Sequence, residues 1–197
     1  MNLSLIKKPS CEIITLEETK TYLRIDHDFD DNLILNFIVS TREAMESIIQ
    51  RSIMKQTWEY ELNNSSLCNL SFGDSDLPSI LGDMIRITLP KPPVMRIISV
   101  KVDDKSVDTY KYSLEKINNK FYLYLKAKNI LNIRKFSVVI TYEAGISENV
   151  INIPYQLKLS NLMLVANAYN ERFSNKHGSI ISEGVKQLLG PFLTFKI

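Results

Sequence analysis

The chain has 197 residues, enough for one domain with a real hydrophobic core or for a core with one appendage. Hydrophobic residues at 45% and charged residues at 23% sit near the globular average, which excludes wholesale disorder, a collagen-like repeat and a coiled-coil rod. Lys plus Arg is 24 against 22 for Asp plus Glu, a net charge of +2, so no global field draws the chain to DNA, membrane or acidic substrates and any charge argument is local.

Cys11 and Cys68 lack C-x-x-C spacing and imply neither a disulfide framework nor a zinc site; a reducing compartment fits best. Lys7, Lys8 and Glu12 interrupt the apolar N-terminal residues, so neither an export signal nor a membrane span is expected there. Thr15-Leu16-Glu17-Glu18 is a capping box and predicts a short helix to about Ile25. The run Asp26-His27-Asp28-Phe29-Asp30-Asp31 breaks it and offers N-caps to a second helix from Asn32 to about Arg51. There Ile34, Phe37, Ile38, Met45, Ile48 and Ile49 recur at helical spacing, with Arg42, Glu43, Glu46 and Gln50 largely opposite.

After Arg51 the period shortens to two: Trp58, Tyr60 and Leu62 share one face of a strand over 56–62. Residues 63–83 are polar, with Gly73, Pro78 and Gly82 as breakers, and read as a long loop. Strands are predicted over 84–89, 94–102, 109–115, 120–127 and 136–142, with Pro90, Pro92 and Pro93 at a corner and Gly145 as terminator. Ile153-Pro154 opens a third helix reaching about Arg172, with apolar or small residues round most of its circumference, a sign of burial on more than one side. A short helix over 182–189 and an apolar tail over 191–197 complete an α+β pattern without the alternation of a parallel fold. The expected architecture is a mainly helical body, from N-terminal helices in 1–53 and C-terminal helices in 146–190, with an inserted antiparallel β lobe over 54–145.

No phosphate-binding glycine loop, nucleophile elbow or H-E-x-x-H motif is present, and neither His27 nor His177 has triad partners around it. Asp26, Asp28, Asp30 and Asp31 resemble the start of a calcium loop. However, Asp31 stands where that loop needs glycine and Phe37 where it needs a bidentate Glu, so helix capping is the better reading. No catalytic, cofactor-binding or metal-binding residue is expected. The basic stretch 116–135 (Lys116, Lys120, Lys126, Lys128, Arg134 and Lys135) interleaves with Phe121, Tyr122 and Tyr124, the pattern of a grip on single-stranded nucleic acid. Strand alternation, with Phe121, Leu123 and Leu125 on one face, is the simpler explanation.

One ordered series of residues adds to this reading. Leu16-Glu17-Glu18, Leu23-Arg24-Ile25-Asp26-His27-Asp28, Asp30-Asp31, Arg51 and Gln56-Thr57-Trp58-Glu59 are followed by Leu89-Pro90-x-Pro92-Pro93-Val94, Tyr142-x-Ala144-Gly145, Ile153-Pro154 and Ala168-Tyr169-x-Glu171-Arg172. The series resembles the head-tail connector (adaptor) family of tailed bacteriophages, also found in prophages and gene transfer agents. The resemblance implies a non-enzymatic subunit of the virion neck, assembled in the bacterial host cytoplasm. It implies a ring, expected to have twelve copies and to form either by itself or only on the portal, that docks beneath the portal protein, extends the DNA channel without specific DNA binding, and meets the next neck or tail-completion protein. Within that picture Leu157, Leu164, Val165, Tyr169, Glu171 and Arg172 are the expected subunit interface. Leu188, Leu189, Phe192 and Phe195 are the expected portal contact, chosen for hydrophobicity near a terminus. Asp26, Asp28, Asp30 and Asp31 are candidates for the lumen wall, where few cations should grip phosphate.

Overall fold

A computed structural model of the chain describes residues 1–63, 79–81, 84–126, 137–172 and 181–193. It divides into two units of nearly equal length, a β unit (Met1–Lys8 with Lys55–Gly145) and a helical unit (Pro9–Met54 with Ile146–Ile197). The α+β class holds, but the description as a mainly helical body needs correcting: a β unit, strands and connections together, takes up half the chain. The discrepancy begins at β1 (Asn2–Lys7), which pairs antiparallel with β2 (Gln56–Asn63). Asn2-Leu3-Ser4-Leu5 alternates, but over only four residues before Ile6 and Lys7 break the pattern, and the partner edge completes the strand.

The β unit holds two antiparallel sheets. Besides β1 and β2 the strands are β3 (Ser79–Leu81), β4 (Met84–Leu89), β5 (Val94–Val102), β6 (Lys105–Ser106), β7 (Tyr112–Ile117), β8 (Lys120–Lys126) and β9 (Ser137–Ala144). One sheet runs β1-β2-β9-β5-β6, the other β3-β4-β8-β7. Alternation aims Leu62, Val100, Val138, Ile140 and Tyr142 of the first sheet and Ile85, Ile87, Leu89, Leu123 and Leu125 of the second into one shared core, the arrangement of a two-layer sandwich. Asp103-Asp104 and Asn118-Asn119 take positive φ in the tight turns β5–β6 and β7–β8, as two-residue hairpins demand. The strand expected from Thr109 starts later, because Thr109–Lys111 forms a 3-10 turn.

The helical unit holds α1 (Leu16–Leu23), α2 (Asp31–Ile49), α3 (Tyr155–Glu171) and α4 (Glu183–Leu189). The capping box forms as expected: Thr15 Oγ1 accepts from Glu18 N–H at 3.1 Å and Glu18 Oε2 accepts from Thr15 N–H at 2.7 Å. α2 and α3 lie antiparallel, with Thr41 beside Asn161 and Asp30 beside Tyr169. Ile34, Ile38, Met45 and Ile49 of α2 meet Leu157, Leu164 and Val165 of α3 and Val185 and Leu189 of α4 in a second core. Among the described residues, no helix is long and apolar enough to cross a membrane.

Candidate functional site

In the helical unit the acidic run is divided among three partners. Lys20 Nζ donates to Asp28 Oδ1 at 2.5 Å and to Asp31 Oδ1 at 2.9 Å, bracing the loop between α1 and α2 against α1. The hydrogen bond from Lys20 holds the Asp28 carboxyl below its ordinary value, and the two carboxylates raise Lys20 in return. Asp30 turns the other way. It stands at the N-cap of α2 but makes no capping bond, because its Oδ2 accepts from the Tyr169 hydroxyl at the far end of α3. Arg172 lies over the Tyr169 ring at 3.7 Å and reaches Asp30 at 3.5 Å. The expectation of an N-cap is thus met by position alone. Two residues assigned to a subunit interface, Tyr169 and Arg172, join within one subunit an aspartate assigned to the lumen. The loop and α1 enclose an open cleft of about 700 Å³, lined by Glu17, Arg24 and Asp26 as well as Lys20, Asp28 and Asp31. Carboxylates and cations both line it, without a nucleophile beside a base.

Arg42 and Glu46 depart from the sequence reading. Both were expected on the polar face of α2, and both are buried, Arg42 to 2% exposure. Arg42 Nε donates to Glu12 Oε2 at 2.6 Å and Nη1 donates to Glu46 Oε2 at 2.9 Å, while Glu46 Oε1 accepts from Ile53 N–H at 2.7 Å. Burial disfavours the guanidinium charge, but the bond from Glu12 and the fields of the surrounding carboxylates outweigh it, so the Arg42 pKa is raised. The network ties the segment before α1 and the chain leaving α2 to the middle of α2. Arg42 falls four residues after Ile38 and three before Met45, and Glu46 three before Ile49, so the helical period itself sets both on the buried face; their charge, not their spacing, is what assigns them to the polar one.

The other expected contact residues are placed as follows. Leu157, Leu164 and Val165 fill the core of their own subunit, so their side chains are not presented at its surface; Glu171 is exposed. Leu189 is buried and Phe192 packs partly buried against the same core, which leaves Leu188 half-buried, while Phe195 lies outside the described residues. In the basic stretch, Tyr122 is buried with the Arg86 guanidinium over its ring at 5.2 Å, and Phe121 packs against the sandwich core. Neither ring is free to stack on a base. Lys128, Arg134 and Lys135 lie outside the described residues, as do His177 and most of 63–83. His27 rests against Phe29 with ring centroids 5.8 Å apart.

Segments of the ordered series that are far apart in sequence meet in space. At the proline corner, Tyr142 Oη donates to the Pro90 carbonyl at 2.7 Å and Gly145 N–H donates to the Pro93 carbonyl at 2.9 Å. Gly145 has φ 151°, a conformation that a side chain would strain. Next to this corner Arg96 grips Glu143 with two hydrogen bonds, at 2.6 and 3.1 Å. The series therefore marks a structural frame, with its joints at Pro90–Val94 against Tyr142–Gly145 and at Asp30 against Tyr169–Arg172.

The family model of phage gp6-like head-tail connector proteins matches residues 13–85. The resemblance to head-tail connectors holds. In fold the likeness extends over the whole chain. A chain from the neck of an empty gene transfer agent particle, in C6 symmetry, superposes with a TM-score of 0.74 at 16% identity, covering 100% of this chain and 97% of that one. A chain of the native gene transfer agent virion gives 0.71 at 17% identity, and one from the native neck in C12 symmetry gives 0.67 at 16%, each with the same coverage. No curated protein matches. The connector series read from the sequence, its spatial joints and the fold of neck chains thus coincide in one molecule.

Proposed function

We propose that the chain is a structural subunit of a virion neck that forms a ring at the head-tail junction, docks beneath a portal and extends the DNA channel. The observation that carries this reading is the full-length likeness in fold to neck chains of gene transfer agent particles, described there in sixfold and twelvefold symmetry. The polar groups of the helical unit support it: they serve as braces between elements, as a scaffold subunit requires, rather than converging on a reacting atom. On this reading the ring has twelve copies, its faces meet the portal and the next neck component, and DNA passes without base recognition. Asp28, Asp30 and Asp31 are engaged by Lys20 and Arg172 inside the subunit, and with Asp26 they leave the braced loop an excess of carboxylate and no cation to offer phosphate.

Native mass spectrometry over a wide concentration series, with negative-stain images of large species, tests the reading. Twelve copies of 22.7 kDa give a closed species of about 272 kDa, which is the expected result. A chain that stays monomeric up to millimolar concentration overturns the proposal that it closes a ring of its own.

A further inference from the structure

We infer that the loop between α1 and α2 is the projecting half of a head-to-tail contact between copies of this chain. In that contact Phe29 enters an apolar patch formed by Ile151, Tyr155 and Leu159 on the next copy. The inference rests on the ring reading above and names the contact that closes the ring.

Phe29 is 94% exposed, the most exposed large apolar side chain among the described residues. It is also held still. Asp28 and Asp31 are tied to Lys20, Asp30 to Tyr169 and Arg172, and the His27 ring rests on Phe29 itself. An aromatic side chain fixed outward on a braced loop has already met most of the ordering cost of association, and such side chains form the centres of protein interfaces.

The complementary surface lies at the other end of the same rigid pair of helices. Ile151 is 83% exposed in the 3-10 turn Val150–Asn152, and Tyr155, the first residue of α3, is 80% exposed. Leu159 is half-buried one turn further on, an i+4 neighbour of Tyr155 on the side of α3 facing away from Leu157 and Leu164. This turn is braced as well: Asn149 Oδ1 accepts from Ile151 N–H at 3.0 Å, and Ser147 Oγ accepts from Asn149 N–H at 2.9 Å.

Charge gives the contact its direction. Round Phe29, Glu17, Asp26, Asp28, Asp30 and Asp31 outnumber Lys20, Arg24 and Arg172. At the other end Lys158 sits one turn from Tyr155, and Arg51 follows α2 with its Nε buried and without a hydrogen-bond partner; Glu148, the carboxylate there, already has an interaction of its own. The two ends are about 25 Å apart along α2 and α3, at 1.5 Å of rise per residue. Each copy therefore offers one acidic projection and one basic apolar seat on different faces, which makes the contact heterologous, the kind that closes into rings. A two-fold pairing would set Phe29 against Phe29 and carboxylate against carboxylate.

The test mixes two single-cysteine variants, Asn32→Cys and Asn152→Cys, each carrying Cys11→Ser and Cys68→Ser, under oxidising conditions at high concentration. Both sites are exposed and flank the contact, so Phe29, Ile151 and Tyr155 keep their side chains, and circular dichroism checks that each variant is folded. The expected result is a 32–152 crosslink well in excess of the 32–32 and 152–152 pairs. Asp26→Lys and Lys158→Glu should each weaken self-association about tenfold, and the double charge swap should restore it. Rings that form while the three crosslinks appear in statistical proportion overturn this contact and leave the ring reading intact. Statistical crosslinking with no ring overturns both.

Discussion

Replacing Arg42 by alanine should destabilise the helical unit by about 3–5 kcal/mol, the cost of removing one partner from a buried ion pair. Three features of the network set the magnitude. Glu46 has a side chain only 5% exposed, so without Arg42 its charge is left in the core beside the Ile53 N–H. Glu12 is 25% exposed and can return to water, so its loss of a partner adds little. The alkyl stem of Arg42 also packs among α2 neighbours, and truncation forfeits that burial. The assay is urea unfolding followed by circular dichroism at 222 nm, which reports the helical unit. At a slope of about 2 kcal/mol per molar urea, a loss of about 4 kcal/mol lowers the midpoint by about 2 M. The control is Arg42→Met with Glu46→Gln, which removes both buried charges and keeps a neutral acceptor for Ile53; it should fall within about 1 kcal/mol of the parent. The reasoning fails if Arg42→Ala costs under about 1 kcal/mol, or if the neutral double variant costs as much as the single one.

Thr41→Val should cost about 1–3 kcal/mol, because the Thr41 hydroxyl lies 2.6 Å from both the Phe37 carbonyl and the buried Asn161 amide, and its loss leaves that amide, whose Nδ2 already lacks a partner, without its polar contact to α2. Thr41→Val combined with Asn161→Leu should recover most of that loss, and a urea double-mutant cycle measures the coupling. Tyr169→Phe removes the hydroxyl that donates to Asp30 and should cost about 1.5–3 kcal/mol, with faster hydrogen exchange in the 26–31 loop as the local readout. Glu143 is held below its ordinary value of 4.5 by the Arg96 hydrogen bond, against the opposing effect of burial and with help from Lys55. Its pairing therefore stabilises the β unit above that ordinary value and is lost as pH falls through the lower folded value. Thermal unfolding of Glu143→Gln should accordingly lose less stability than the parent between neutral and acidic pH; an equal loss refutes the assignment.

How much was legible in the sequence differs from element to element. The Thr15–Glu18 capping box, the period of α2, the alternation of β2 and β8 and the stop at Gly145 were readable because each depends on residues within four or five positions of one another. The connector series was readable for a related reason: its short segments each hold a local shape, and their order survives without knowing which segments touch. Phe29 passed as one residue of the acidic capping run, and nothing local sets its loop braced outward with its ring in solvent.

What tertiary structure alone decided is where charge and edges find partners. Arg42 lies on the apolar stripe of α2 by its spacing from Ile38 and Met45, but its charge is matched there only when Glu12, thirty positions away, is brought beside it and Glu46 is fixed by the Ile53 N–H. Asp30 looks like a helix cap until the end of α3 supplies Tyr169. β1 joins the β unit, rather than the helices that follow it in sequence, because β2 presents an edge to it. The physical reason is the same in each case. Backbone preference and hydrophobic period are set by near neighbours, whereas the free energy of a buried charge or an added strand depends on a partner that folding brings from elsewhere in the chain.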